Sequence, residues 1–205
     1  MKIMHRKRAG VIGMMAAMGL AVVAPGCGGR EVIRADPAEV VDLSARFNEN
    51  DARMVADEMI GDSLSRPWLD RWREEKRGAP VVIVGTVRND TGDYIDTALF
   101  TKQIERAFVN SGRVRLVAAR GERGEIRDER REMQDFSRPE TVKKKAFEVG
   151  ADLMMIGRVG EDVQVSRGGS VRIQYYQVNL ELIDIESNEK VWIGEKQIEK
   201  RQIDK

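Results

Sequence analysis

The chain has 205 residues, 41% hydrophobic and 34% charged, with 35 Lys+Arg against 34 Asp+Glu, enough for one ordinary domain and too few for two large ones. A net charge of +1 excludes a strongly basic nucleic-acid binder, and a single Cys excludes a disulfide-rich scaffold.

That Cys belongs to the amino end. Lys2, Arg6, Lys7 and Arg8 precede an apolar stretch over Val11–Ala24, and Pro25-Gly26-Cys27-Gly28-Gly29 follows, the layout of an export signal. As a helix the stretch would span about 21 Å, short of the ~30 Å hydrocarbon core, so it suits transient targeting better than permanent spanning. The small residues before Cys27 resemble a bacterial lipoprotein processing site, at which the Cys becomes the diacylated first residue of the mature chain. Ala24 and Pro25 depart from the usual pattern, which leaves simple secretion or an uncleaved anchor as alternatives. Residues 1–26 hold four Lys/Arg and no acid, so the remainder would carry 31 basic and 34 acidic residues, formally −3. Residues 28–41 show no sustained period and read as a tether reaching at most ~50 Å. The expected organisation is a lipoprotein signal peptide at 1–26, a lipidated Cys with a short tether at 27–41, and one globular domain at 42–205.

The domain opens with Asn48-Glu49-Asn50-Asp51, whose side chains suit a helix cap, followed by Ala52, Val55, Ala56, Met59, Ile60 and Leu64 at helical spacing over Asp51–Ser65. Pro67 resets the chain, and Trp68, Leu69 and Trp72 mark a second short helix ending by Gly78. Its Trp residues are read as core packing rather than an exposed patch. Pro80–Val87 contains the β-branched run Val81-Val82-Ile83-Val84 and is the candidate central strand. A polar turn over Asn89–Asp93 leads to Asp96, a cap for a helix over Thr97–Asn110 with Phe100, Ile104, Ala107 and Phe108 on one face and Ser111-Gly112 as its stop. Val114–Ala119 reads as the next strand. Arg120–Arg138 is a polar segment of mixed charge, either a solvent-facing helix or an excursion, and Pro139 precedes a helix over Glu140–Val149. Ala151–Val159 reads as a strand and Gly160–Gly169 as a loose polar connection. In the strand Val171–Ile185 the apolar residues change parity, odd through Tyr175 and even from Tyr176, which predicts a bulge at Tyr175-Tyr176. Glu186–Glu189 turns into a final strand, Val191–Glu199, with Trp192 and Ile198 on one side. The expected fold is α/β in the α+β sense: a mixed sheet of about five strands with a C-terminal antiparallel hairpin, flanked by helices.

The sequence offers little for catalysis. His5, the one His, falls in the leader, and no GxxxxGK[ST] or GxGxxG loop occurs. Asp93 and Asp96 could form an acid/base pair, although turn formation and capping account for them more simply. No enzyme activity, cofactor or metal is expected.

Four stretches carry a family resemblance: Pro80–Thr97, Phe100–Val117, Gly150-Ala151-Asp152 with its strand, and Tyr176–Lys200. The most specific pieces are VxNxTxxxIDT, met by Val87, Asn89, Thr91, Ile95, Asp96 and Thr97, and LxDxExxxxxW, met by Leu182, Asp184, Glu186 and Trp192. Over about residues 42–200 the chain resembles the outer-membrane lipoprotein activators of bifunctional penicillin-binding proteins. The resemblance implies a non-enzymatic lipoprotein on the periplasmic face of the outer membrane, lipidated at Cys27, which binds and stimulates a peptidoglycan synthase. Its 14-residue tether is far shorter than the long disordered linker of that family. The alternative is a structural or assembly-accessory envelope lipoprotein that oligomerises or binds cell-wall polymer. Candidate partner contacts are Arg88, Tyr94, Arg123 and Arg127, since Arg and Tyr anchor interfaces more often than Lys or Glu. Asn89, Thr91, Asp96, Thr97 and Trp192 are read as structural members of the motifs.

Overall fold

Helix α1 (Glu49–Ser65) begins at a reciprocal cap: the Asp51 N–H donates to the Asn48 side chain at 3.1 Å, and the Asn48 N–H donates to the Asp51 carboxylate at 2.9 Å. In this computed structural model residues 42, 44–76, 78–136 and 148–203 are described. The chain divides into two units, Met1–Glu39 and Val40–Lys205, and all the described residues belong to the second. The expected leader, Cys27, the tether and most of the helix expected over Glu140–Val149 lie outside the described residues.

Helix α2 (Trp68–Lys76) follows α1 directly. Trp68 is buried and its indole N–H donates to the Ser63 carbonyl at 2.7 Å, while Trp72 is half-buried with the Lys76 ammonium 5.7 Å from its ring centre. Strand β1 (Val81–Asn89) has Val81, Val82, Ile83 and Val84 all buried, as a continuous β-branched run requires. Helix α3 (Thr97–Ser111) buries Phe100, Ile104 and Phe108 and stops at Gly112, whose φ of 63° is costly for any residue with a Cβ. It is followed by β2 (Arg115–Leu116), α4 (Arg120–Phe136), β3 (Leu153–Val165), β4 (Val171–Asp184) and β5 (Lys190–Ile203).

The sheet has the order β2-β1-β3-β4-β5. β1 runs parallel to β2 and β3, and β3, β4 and β5 form an antiparallel meander. Parallel neighbours need a crossover, and α3 supplies it between β1 and β2. The Asp152 carboxylate accepts the Val81 N–H at 2.8 Å and fixes the start of β1 against β3.

β1 is an interior strand of the sheet, as expected, between β2 and β3. Three expectations are corrected. β2 pairs with β1 only at Val81 and Val82, because the chain turns into α4 at Arg120, so the strand expected over Val114–Ala119 shrinks to two residues. β3 continues to Val165 through the polar run expected to be a connection, since a two-sided ladder satisfies its backbone with little regard to side-chain polarity. No bulge occurs at Tyr175-Tyr176: β3 and β4 pair without interruption from Leu153↔Asp184 to Val165↔Arg172. The inward position before Tyr176 is taken by a buried polar residue, Gln174, while Val171, Ile173 and Tyr175 lie half-buried on the opposite face. The irregularity of β4 lies instead in its pairing with β5, between Leu182 and Ile183.

Helices α1 and α3 share one core with the inward side chains of β1, β3, β4 and β5. Phe47 packs into it edge-on to Phe100 at 6.3 Å and to Tyr176 at 5.6 Å. The five strands and these helices form the mixed α+β architecture read from the sequence.

Candidate interaction surface

The turn between β1 and α3 is organised by its own side chains. Asn89 Oδ1 accepts from the Thr91 N–H at 3.0 Å and the Thr91 hydroxyl at 2.7 Å, and Asn89 Nδ2 donates to the Asp93 carbonyl at 2.8 Å. This Asx arrangement replaces backbone pairing where the strand ends. Asp96 Oδ1 accepts from the N–H groups of Ala98 and Leu99, both at 3.0 Å, and so caps α3. Thr97 is the first helical residue, and its carbonyl accepts from the Thr101 hydroxyl at 2.8 Å.

Asp93 and Asp96 therefore do different work. The Asp93 carboxylate faces inward, accepts the Tyr176 phenol and lies 3.5 Å from Gln174 Nε2 and 3.6 Å from Arg46 Nε. Burial, with the Asp93 carboxylate second, holds the Tyr176 phenol well above the usual range, so it stays protonated and donates. Glu161 closes the same turn from β3 by accepting the Gly92 N–H at 2.7 Å. These bonds hold the turn, and Glu161 Oε2 is buried beside it without a hydrogen-bond partner among the described residues.

Two side chains project from this frame without an ion pair or hydrogen bond to a described residue. Tyr94 is 87% exposed, and Arg88 stands exposed near the end of β1. Arg123 and Arg127 belong to a different element, one turn apart on α4. Arg127 grips Glu148 with two bonds, at 2.9 and 2.7 Å, and Arg130 reaches the same carboxylate at 3.4 Å. The Arg127 guanidinium holds that carboxylate below its usual range. Trp192 is a core residue whose indole N–H donates to Asp62 at 3.0 Å and joins β5 to α1.

Sequence reasoning missed Arg158. Strand register sets it directly beside Arg88 on β3, and both face away from α1 and α3. Nothing in the local sequence around Arg158 signals that neighbour, since it is brought there by parallel pairing.

Among the described residues no group of His, Cys, Asp and Glu could hold a metal ion, and no helix is long and apolar enough to cross a membrane. A mixed five-stranded sheet with α1 and α3 packed on one face defines an α+β domain. The chain belongs to the peptidoglycan-synthase activator family LpoB, whose model matches residues 51–198. Membership gives the protein a non-enzymatic role in the cell envelope, linked to the activation of penicillin-binding proteins. Similar solved structures include the LpoB C-terminal domain from Escherichia coli, 16% identical over 72% of this chain and 98% of that one with a TM-score of 0.45. The solution structure of E. coli LpoB is also 16% identical, over 96% of each chain, with a TM-score of 0.40. The lipoprotein GNA1162 from Neisseria meningitidis is 12% identical over 60% of this chain and 83% of that one, at 0.38. With likenesses this distant, membership rests on the family match alone. No curated protein sequence matches significantly.

Proposed function

We propose that the protein is an outer-membrane lipoprotein on the periplasmic face, anchored through acylated Cys27 after loss of residues 1–26, whose domain at 42–205 binds and stimulates a bifunctional penicillin-binding protein. The family match over residues 51–198 carries this reading. Stimulation requires that the docked surface prefer the active state of the synthase, because binding both states equally shifts nothing. Arg88 and Tyr94 are the proposed contacts, being exposed and free of internal partners among the described residues, whereas Arg127 first serves to hold Glu148. Arg123 remains a secondary candidate beside it on α4.

The test measures glycan polymerisation by a purified bifunctional penicillin-binding protein with and without the full chain. Wild-type protein is expected to accelerate polymerisation, and Arg88→Glu or Tyr94→Ala to reduce both binding and acceleration at unchanged thermal stability. Absence of binding by the wild-type chain, together with cosedimentation on protein-free sacculi, would replace this reading with the wall-polymer one. Mass spectrometry of the native protein decides the anchor: a mature terminus other than diacylated Cys27 overturns it.

A further inference from the structure

The face of the sheet turned away from α1 and α3 can be followed rank by rank through its register. Arg88 pairs with Arg158, Arg158 with Asn179, and Asn179 with Glu195, so these four side chains form one row across β1, β3, β4 and β5. The next row is Ile156, Glu181 and Ile193, with Ile193 60% exposed. All of these residues except Glu195 line a shallow depression of about 570 Å³.

Charges on this face are unevenly satisfied. Glu181 is paired with Lys190 at 2.8 Å, whereas Glu195 is held only by neutral amides, Gln177 Nε2 at 3.1 Å and Gln197 Nε2 at 2.8 Å. The two arginines are not balanced in the same way. Arg158, with a side chain 58% exposed, reaches only toward Asp90 at 3.9 Å, and Arg88 has no counter-charge among the described residues. Like charges directly opposite on neighbouring strands repel. The free protein thus keeps two guanidinium groups side by side, with Asp90 the one acid among the described residues that is paired with either of them.

We propose that this cross-strand pair, Arg88 and Arg158, is the docking element for the synthase and receives a carboxylate-bearing patch on that partner. The inference rests on the function proposed above. A protein partner is favoured over wall glycan because the arginines adjoin apolar Ile156 and exposed Ile193, the mixture of Arg and aliphatic surface found in protein interfaces. A paired carboxylate would also remove the repulsion between the arginines, so binding is expected to weaken as salt is raised.

The experiment measures affinity of the full chain for a purified bifunctional penicillin-binding protein at low and high salt. Arg88→Glu and Arg158→Glu are each expected to weaken binding at least about tenfold, a loss of the size seen at interface anchors. Arg71→Glu on α2, an exposed residue with the same change of charge, is expected to stay within about twofold of wild type. Arg158→Gln is expected to leave the thermal midpoint of the free protein unchanged or raised, which separates a docking residue from a folding one. If wild type binds and both sheet variants bind equally well, the docking element is overturned while the activator function stands. If wild type fails to bind, the function itself falls. Loss of cosedimentation with sacculi in both variants, with synthase binding intact, would assign the pair to cell-wall polymer and also overturn the proposal.

Discussion

Tyr176 shows how a single side chain ties distant parts of the chain together. Its ring is fully buried, its hydroxyl donates to Asp93, and it accepts from Gln174 Nε2 at 3.2 Å. Tyr176→Phe would leave the Gln174 amide and the Asp93 carboxylate without that partner, so a loss of about 1–3 kcal/mol in urea unfolding is expected. A loss near zero would mean that water replaces the phenol. The folded state holds the phenolic proton more tightly than the unfolded chain, whose tyrosines titrate near ~10. This contribution is therefore complete below that pH and is lost as pH rises above it, and the alkaline decline should be shallower in Tyr176→Phe. Steric closeness matters as much at Gly157. A Cβ there would lie 2.4 Å from Leu180 Cδ2 and 2.6 Å from the Asn179 carbonyl oxygen. Gly157→Ala must move backbone, and a cost of about 1–3 kcal/mol in the same assay is expected. At this scale the sequence revealed that Asn89 and Asp96 have turn and cap chemistry, but not that Gln174 is a buried polar residue in phase with Tyr176. The apolar pattern alone suggested a parity break there, because hydropathy does not register a polar side chain whose bonds are made inside.

Among the elements, α1 and β5 are joined by a buried ion pair. Lys200 and Asp51 have side chains 9% and 8% exposed, 2.6 Å apart, and Lys200 also reaches Asp42 at 2.8 Å and the Arg46 carbonyl at 3.1 Å. One lysine thus fixes the helix start and the segment before it to the last strand. Breaking such a pair from one side leaves a carboxylate buried, so Lys200→Met is expected to destabilise by about 3–5 kcal/mol in denaturant unfolding. A cost below about 1 kcal/mol would show that Asn48 alone satisfies Asp51. At α3 the expected effect is smaller: Asp96→Ala removes two capping bonds for about 1 kcal/mol, and Asp96→Asn should recover most of it. The elements themselves were legible where local signals were strong, as in α1, α3 and the β-branched run of β1. β3 and β5 ran longer than expected because ladder partners hold residues that propensity leaves undecided.

For the whole molecule, acid is the sensitive direction. Asp184 is held below the usual carboxylate range chiefly by the backbone N–H of Ser187, Asp62 by Arg66, Asp42 by Lys200 and Glu122 by Lys102. Each folded-state pKa lies below its unfolded value, so each contribution is present above about pH 4 and is lost as pH falls below it. Thermal midpoints should be nearly level from neutrality to about pH 5 and then fall, and Asp184→Asn should flatten that fall. A midpoint that dropped already at pH 6 would point to groups other than these carboxylates. The amino-acid sequence by itself determined the class of the domain, its helix caps and stops, and the family motifs, since each depends on residues within a few positions of one another. Only the tertiary structure decided that Asp93 meets Tyr176, that Trp192 joins β5 to Asp62, and that Arg88 stands beside Arg158. Those neighbours come from strand register and packing between segments far apart in the chain, and register is a property of the assembled sheet that no single segment encodes.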